Sequence, residues 1–286
     1  MKNIIIYHRA DYDGIFSREV ARKFLPADTV FIGWDYGDES PFIENGSQLY
    51  MIDISVEPLM TYPGLIWIDH HKSAIQKYSH LKLNGYQIDG VAACRLAYQW
   101  FLNNLSLPNK NDFKNRDVQE PLVLTLVGEY DVWDHRGDGN IELQFGLDSQ
   151  PNLDFSLLLH EGAEGRNYTQ NLVAMGKAAM NCYSKRDSVI VRERSFMAEW
   201  EGLKFLVLNV PRCNSSTFAA RDLPETGHDA LMAFYFNGAS WSFSLYHSNH
   251  RKDIDLSLIA SKHGGGGHRG ACGFRLKELP NWKVLN

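Results

Sequence analysis

Length, composition and charge exclude several classes of protein. The chain of 286 residues is 44% hydrophobic and 22% charged, which is ordinary for a soluble globular protein of one large or two modest domains. Its net charge of −5 argues against a broad basic surface for duplex nucleic acid. No apolar run approaches the roughly 20 residues that span a bilayer, and the apolar start is too short for a secretory signal. We therefore expect a cytoplasmic protein that does not contact membranes.

The first half of the chain alternates strand and helix signals. Short apolar runs predict strands, and longer segments between them predict helices. The strands are expected over 4–7, 30–33, 49–54 and 65–68, and the helices over 14–24, 90–102 and 119–130. Strands separated by helices are typical of a parallel sheet in an α/β fold. The polar, Asn-rich segment 103–117 is predicted to be a surface loop.

The second half predicts a helical connector followed by a smaller mixed α/β unit. Segment 154–194 reads as mainly helical. Strands are expected over 203–210, 230–236 and 241–246, and a helix over 256–262 precedes a run of glycines at 264–267. We therefore divide the chain into a catalytic domain over 1–150, a connector over 151–198 and a substrate-binding domain over 199–286. The 4 cysteines are scattered, which indicates neither disulfides nor a zinc knuckle.

Acidic residues and histidines follow three of the predicted strands. An open α/β sheet binds ligands outside the carboxyl ends of its strands, so these side chains should meet in one pocket. A mixture of carboxylates and imidazoles suits two adjacent Mg²⁺ or Mn²⁺ ions that clamp a phosphate. The candidate ligands in these strand-end segments, with one more from segment 129–133, are His8, Asp11, Asp13, Asp53, His70 and Asp131.

The order of these motifs resembles the DHH phosphoesterase superfamily, a group of manganese-dependent phosphohydrolases. Asp69-His70-His71 resembles the signature that gives the superfamily its name. The segment from His263 to Phe274, which contains the glycine run, resembles the signature of the DHH-associated C-terminal domain. Because the two matches lie near opposite ends of the chain, the resemblance spans nearly its full length. It implies a parallel-sheet DHH domain, a helical connector and a smaller C-terminal domain.

The resemblance also implies a role for each motif residue. Asp11 and Asp13 would each bind a different metal, Asp53 would bridge both metals, and His70 would be a metal ligand. His71 would contact the phosphate, with Asp69 orienting a histidine, as second carboxylates in metal sites commonly do.

Some assignments stay open at this point. Many members have the first histidine four residues before the first acidic residue, whereas His8 precedes Asp11 by three, so His8 is either a ligand or a neighbour. Asp131 is the expected last acidic ligand, with Asp134 as the alternative. Arg9 and Lys72 are either phosphate contacts or surface charges.

The glycine run and a nearby arginine are the expected substrate-binding elements. Glycines lack a Cβ, so the N–H groups of Gly265, Gly266 and Gly267 can approach an anion closely in an ordered turn. A flexible loop is the alternative. His268 could donate to a phosphate or stack on a base. Arg251 resembles the arginine that family members place before this loop, and a guanidinium suits a pair of phosphate oxygens.

These observations predict a two-metal phosphohydrolase, with Mn²⁺ preferred and Mg²⁺ as the other candidate, that uses metal-activated water. The resemblance to shorter members favours short single-stranded oligonucleotides, trimmed to mononucleotides, or small nucleotides. The C-terminal domain would hold the substrate over the metals, and the assembly could be a homodimer. Alternatives are a pyrophosphate or polyphosphate hydrolase, a cyclic dinucleotide phosphodiesterase and, in a different class, a non-catalytic nucleotide-binding regulator.

Overall fold

The structure is a computed structural model that describes residues 2–102, 109–210, 227–248 and 250–285, without the side chains of residues 184, 185 and 187. The chain forms two compact units, Met1–Ala179 and Met180–Asn286. The boundary falls inside a long helix, Ala163–Arg194 (α8), which lies within the predicted connector. The functional division at residues 150 and 198 stays a prediction. Among the described helices, none combines the length and apolar character that crossing a membrane requires.

Unit 1 contains a parallel four-stranded sheet. Its strands are Asn3–His8 (β1), Val30–Trp34 (β2), Gln48–Ile52 (β3) and Ile66–Ile68 (β4). They lie in the order β2-β1-β3-β4. In this register, Tyr7 of β1 pairs with Ile52 of β3, and Ile52 pairs with Ile68 of β4. The carboxyl ends of these three strands are therefore neighbours, as the sequence predicts.

Helices cover both faces of this sheet. Alternate strand residues enter two separate clusters, with Ile5, Ile52 and Ile68 on one face and Ile6 and Met51 on the other. Strands buried on both faces read as continuous apolar runs, which is why they could be predicted. The helices of unit 1 before α8 are Tyr12–Phe24 (α1), Lys72–Tyr78 (α2), Ala93–Phe101 (α3), Lys110–Asn115 (α4), Leu122–Asp131 (α5), Asn140–Asp148 (α6) and Phe155–Leu158 (α7).

Helix α1 packs directly on the end of β1. The carboxylate of Asp11 caps the helix by accepting a hydrogen bond from the N–H of Gly14 at 3.0 Å. A Cβ at residue 14 would lie 1.8 Å from the carbonyl oxygen of His8, so only glycine fits at this contact. This close approach brings Asp11 and Asp13 to the end of β1.

Unit 2 is built on a seven-stranded mixed sheet. Its strands are Ser195–Trp200 (β5), Leu203–Asn209 (β6), Ala230–Phe236 (β7), Trp241–His247 (β8), Gly266–His268 (β9), Ala271–Leu276 (β10) and Lys283–Leu285 (β11). The order is β11-β5-β6-β7-β8-β10-β9, and β6 and β7 pair in parallel. The helix Ser257–Lys262 (α9) packs with an aromatic-rich core that includes Phe205, Phe243 and Phe274.

Three local predictions need correction. The segment expected to be a loop over 103–117 contains helix α4, while 103–108 lie outside the described residues. The glycine run is only partly a turn, because Gly266 and Gly267 begin the edge strand β9, where Gly267 pairs with Cys272 of β10. The helix predicted over 119–130 begins at Leu122, with Pro121 as its N-cap.

Candidate metal centre

Asp53 lies at the middle of the candidate site. It follows β3 directly, and its φ of +63° places it in the left-handed region, which Asp and Asn tolerate better than most residues. Its side chain is only 1% exposed. Oδ1 lies 3.2 Å from Nε2 of His70, and Oδ2 lies 3.5 Å from Nδ1 of His8. The carboxylate therefore faces both imidazoles, as the predicted bridging ligand should.

Carboxylates from three different elements lie around Nε2 of His70. Its Nε2 lies 3.2 Å from Oδ2 of Asp13, 3.2 Å from Oδ1 of Asp53 and 3.3 Å from Oδ2 of Asp131. These side chains come from the start of α1, the end of β3 and the last residue of α5. Ligand atoms of Asp13, Asp53 and His70 all lie within 4.8 Å of one another, a spacing that one cation could share.

A second group surrounds His8. Its Nδ1 lies 2.7 Å from Oδ2 of Asp11, and ligand atoms of His8, Asp11 and Asp53 form another set within 4.8 Å. The spacing of three between His8 and Asp11 therefore does not separate them. Asp35, which the sequence analysis did not single out, lies 3.5 Å from Nε2 of His8. Asp35 follows β2 just as Asp53 follows β3, so the same strand-end signal was present in the sequence.

Asp69 orients the histidine pair. Its Oδ1 accepts hydrogen bonds from the N–H groups of His70 and His71 at 2.7 and 3.0 Å, and it lies 2.7 Å from Nδ1 of His71. Burial opposes the ionisation of Asp69, but the interaction with His71 prevails and holds the pKa of the carboxyl below its ordinary value. The bond at Nδ1 leaves Nε2 as the ring nitrogen of His71 that can meet a ligand.

Asp131 reaches His70, whereas Asp134 is engaged elsewhere. The carboxylate of Asp134 forms an ion pair with Arg136. The carboxylate of buried Glu129 accepts hydrogen bonds from Nε and Nη2 of Arg116 at 2.7 and 2.5 Å. These bonds fix the end of α5. Of the two alternatives for the last acidic ligand, the geometry therefore favours Asp131.

The electrostatics of the cluster favour a cation. Burial, followed by the nearby Asp13 and Asp11 carboxylates, raises the pKa of Asp53 to about 7. Burial lowers the pKa of the His8 and His70 imidazoles, but Asp11 beside His8 and Asp131 beside His70 prevail, so both pKa values lie well above their ordinary value. Protons on these groups balance the buried negative charge. A divalent ion could replace them, because metal binding to such groups releases protons.

The donor set fits divalent metal ions. Oxygen and imidazole ligands in this mixture suit Mg²⁺ and Mn²⁺. Oδ2 of Asp53 is buried and makes no hydrogen bond to the residues that the structure describes, although a buried carboxylate oxygen ordinarily has a partner. A cation beside His8 and His70 would satisfy this oxygen.

Arg9 and Lys72, whose roles the sequence left open, have different surroundings. Arg9 pairs with Asp38 and donates to the carbonyl oxygen of Gly33 at 3.2 Å. Lys72 is exposed and begins α2. Neither observation assigns a phosphate contact.

The predicted substrate-binding residues lie in unit 2. Arg251 forms an ion pair with Asp229, and its Nε lies 3.0 Å from Oδ1 of Asp253. Any phosphate would therefore share this guanidinium with carboxylates. Gly265 packs against the backbone of β10, where a Cβ would lie 2.0 Å from the carbonyl oxygen of Gly273. Gly266, Gly267 and His268 form β9, so the expected anion-binding residues belong to an edge strand and the turn before it.

The comparisons with known proteins identify the fold. No protein-family model and no curated protein matches the chain. The DHH domain of a member of a family of ribosomal proteins superposes with a TM-score of 0.51 at 13% identity, covering 99% of this chain and 83% of that one.

Two further solved structures are similar at lower scores. A pGpG-specific phosphodiesterase from Vibrio cholerae gives a TM-score of 0.44 at 13% identity and covers 96% and 93% of the two chains. The manganese-bound exonuclease RecJ gives 0.45 at 13% identity and covers 96% and 86%. Identities this low establish the fold alone. The parallel sheet with Asp69-His70-His71 after β4, the mixed sheet of unit 2 and the superposition on a DHH domain agree, and the chain has the α/β two-domain fold of the DHH superfamily.

Proposed function

We propose that this chain is a two-metal phosphohydrolase that cleaves phosphodiester bonds. The observation that carries the proposal is the position of Asp53 between His8 and His70, with Oδ2 3.5 Å from one imidazole and Oδ1 3.2 Å from the other. One buried carboxylate that faces two separate sets of ligands is what a pair of adjacent cations requires. Manganese is the proposed native ion, and magnesium is the alternative.

The two ion positions would share Asp53. His8 and Asp11 complete the first set, and Asp13, His70 and Asp131 complete the second. Two divalent ions supply a water of lowered pKa as nucleophile and neutralise the charge that develops on the phosphate. The protein would hold these ligands at strand ends and helix ends of the packed unit 1, which fixes the spacing between the two sets.

His71 and Asp69 would act on the phosphate itself. Asp69 accepts from Nδ1 of His71, so the imidazolium form of the ring would offer Nε2–H to a ligand, with its charge balanced by a fully buried carboxylate. A hydrogen bond from a charged donor to a phosphoryl oxygen is stronger than one from a neutral donor. This pair would therefore stabilise the phosphoryl group without being needed to hold the metals.

Short single-stranded oligonucleotides or small nucleotides are the proposed substrates, with exonucleolytic trimming to mononucleotides. The net charge of −5 gives no broad basic surface for duplexes, and the resemblance to shorter DHH proteins supports the choice. Arg251, Gly265, Gly266, Gly267 and His268 are the proposed substrate-binding residues of unit 2. A cytoplasmic location and a homodimer stay predictions.

The test is Mn²⁺-dependent hydrolysis of pyrophosphate, tripolyphosphate, a dinucleotide, a five-residue RNA and a cyclic dinucleotide at equal concentration. We expect preference for the linear oligonucleotides and loss of activity in Asp53→Ala. Asp89→Ala, which removes an exposed carboxylate of the same unit, is the matched control. Preference for pyrophosphate or polyphosphate would agree with metal-dependent hydrolysis but contradict the proposed oligonucleotide substrate. No turnover with Mn²⁺ bound would favour the regulatory alternative.

A further inference from the structure

A short and extensively bonded loop follows β2 beside the metal centre. We call residues 35–39 the Tyr36 loop. The carboxylate of Asp38 accepts from the N–H of Asp35 at 2.9 Å, and the N–H of Asp38 donates to the carbonyl oxygen of Asp35 at 3.0 Å. The indole of Trp34 donates to the carbonyl oxygen of Glu39 at 3.1 Å. Both ends of the loop are thus fixed to the end of the strand.

Strand β1 adds a second anchor to the same loop. The N–H of Arg9 donates to the carbonyl oxygen of Trp34 at 3.1 Å, and its guanidinium pairs with Asp38, with Nη2 3.1 Å from Oδ1. Arg9 is 49% exposed, and exposed ion pairs add little to overall stability. The main effect of these contacts is therefore to fix where the Tyr36 loop lies.

The loop places Tyr36 against a candidate metal ligand. The ring of Tyr36 meets the ring of His8 edge-on, with centroids 6.1 Å apart, and it meets Trp34 at 5.8 Å. The residue is 40% exposed, so part of its surface is open to solvent beside the candidate centre. The ring of Tyr36 thus lies beside the His8 imidazole at the edge of the candidate centre.

We propose that Tyr36 is a substrate-contacting residue whose hydroxyl donates a hydrogen bond to a phosphoryl oxygen, and that the Arg9–Asp38 pair positions it. This inference rests on the proposed function. The candidate centre presents mainly carboxylates, which accept hydrogen bonds and repel a phosphate. A neutral phenol adds a donor without adding a charge that would compete with the cations. A tightly anchored loop would hold that donor in place before the substrate arrives, which limits the ordering cost of binding.

Tyr36→Phe tests the contact, because it keeps the ring against His8 and Trp34 and removes only the hydroxyl. We expect kcat/KM for the dinucleotide to fall about 100-fold, the lower end of the range found when one donor to a reacting oxygen is removed. Mn²⁺ stoichiometry and affinity, measured by calorimetry, should match the wild type. A kcat/KM within about twofold of the wild type would overturn the proposal, because removing a hydrogen bond that stabilises the transition state must lower kcat/KM.

Asp38→Asn tests the positioning role. Weakening the Arg9–Asp38 pair should lower kcat/KM in the wild-type background but change it little in Tyr36→Phe, because the loop would act through a hydroxyl that is already absent. Asp89→Asn is the matched control, since it removes an exposed carboxylate charge elsewhere in unit 1. Equal losses from Asp38→Asn in both backgrounds would show that the loop does not act through Tyr36.

A binding measurement separates failure of this inference from failure of the proposed function. If the Mn²⁺-loaded protein hydrolyses none of the panel, the affinity for inorganic phosphate is measured by calorimetry for the wild type and Tyr36→Phe. Weaker binding by Tyr36→Phe would support the contact even without hydrolysis. Equal binding, or no binding to either protein, would overturn it.

Discussion

Replacing Asp53 by asparagine should stabilise the metal-free protein. The Asp53 carboxylate is 1% exposed, and the Asp13 and Asp11 carboxylates lie near it. Without a cation, each of these features disfavours its ionised form. Asparagine has almost the same shape, carries no charge and tolerates the φ of +63° at this position. The substitution therefore removes charge repulsion while the backbone stays as it is.

The pKa gives the size of the effect. Ionisation of a group with a pKa of about 7 instead of 3.8 costs on the order of 4 kcal/mol of folding free energy once it is complete. Because the pKa is raised in the folded state, this cost is absent below pH 3.8, grows as the pH rises and is complete above about pH 7. Asparagine avoids this ionisation cost, but the net gain in folding free energy is smaller, since a buried and imperfectly paired amide itself costs about 1–3 kcal/mol.

Thermal unfolding in EDTA at pH 8 measures the result. We expect a net gain of about 1–3 kcal/mol, which raises the midpoint by about 2–10 °C for a unit of this size. With Mn²⁺ added, the wild type should gain stability and Asp53→Asn should gain much less, because a bridging ligand is lost. If Asp53→Asn melts below the wild type in EDTA, the buried carboxylate is not a source of repulsion and the reasoning is wrong.

Asp13→Asn is the matched control, since it changes the same group in the same cluster. Its carboxylate accepts hydrogen bonds from the N–H groups of Ala93 and Cys94 at 2.8 and 2.7 Å, at the start of α3. Burial opposes its ionisation, but the hydrogen bond with His70 prevails and the pKa of Asp13 lies below its ordinary value. An amide can accept with only one atom, so this variant should lose about 1–3 kcal/mol in EDTA. Opposite signs for the two variants are the expected outcome.

The remaining predictions concern the division of labour. His71→Ala should lower the rate and leave Mn²⁺ content nearly intact, and metal analysis showing an empty site would contradict this role. Because the pKa of Asp53 is raised to about 7 and the pKa values of His8 and His70 are raised well above their ordinary value, Mn²⁺ must displace protons, so its affinity should rise as the pH increases through about 7, with proton release seen by calorimetry in buffers of different ionisation enthalpy. A flat pH profile would refute it. Arg251→Ala should weaken oligonucleotide binding but spare bis-p-nitrophenyl phosphate, and equal losses on both substrates would argue against it.

Much of unit 1 could be predicted because β1, β3 and β4 are largely buried on both faces, while β2 is half-buried. Continuous apolar runs marked β1 to β4, and each observed strand lies within two residues of its predicted bounds. Helix α4 was missed although its signal is local: Asn109 caps it and Asp112 bonds back to the N–H of Asn109. The capping box was overlooked because the segment is rich in Asn, and Asn and Asp favour both loops and helix starts.

The edges of unit 2 could not be predicted in the same way. Strand β5 follows α8 with no proline or glycine between them, so nothing in the local sequence ends the helix at Arg194. Strand β9 consists of two glycines and a histidine and exists only because β10 pairs with it. Edge strands without an apolar pattern depend on partners that are distant in sequence, and single-sequence patterns do not contain that information.

The residues of the candidate metal centre could be found in the sequence where a motif contains them, and less easily where the strand order of the sheet decides which residues are neighbours. Asp35 and Tyr36 follow a strand whose place was unknown from sequence. Only the pairing of Trp34 with His8 in the register of β2 and β1 shows that they lie beside the site. The choice between Asp131 and Asp134 likewise depends on Arg136, whose ion pair engages the carboxylate of Asp134, while Asp131 contacts His70.

Asp13 shows why fold and site cannot be separated at every residue. Ala92, the N-cap of α3, has no side chain that can accept a hydrogen bond, and the carboxylate of Asp13 serves instead from 80 residues away. The same carboxylate lies 3.2 Å from His70. Loss of activity in an Asp13 variant would therefore report on the helix and the ligand together. Asp53 is the N-cap of none of the helices whose caps the structure shows, so its substitution separates the two effects. Greater stability without metal together with loss of activity would indicate a lost ligand rather than a damaged fold.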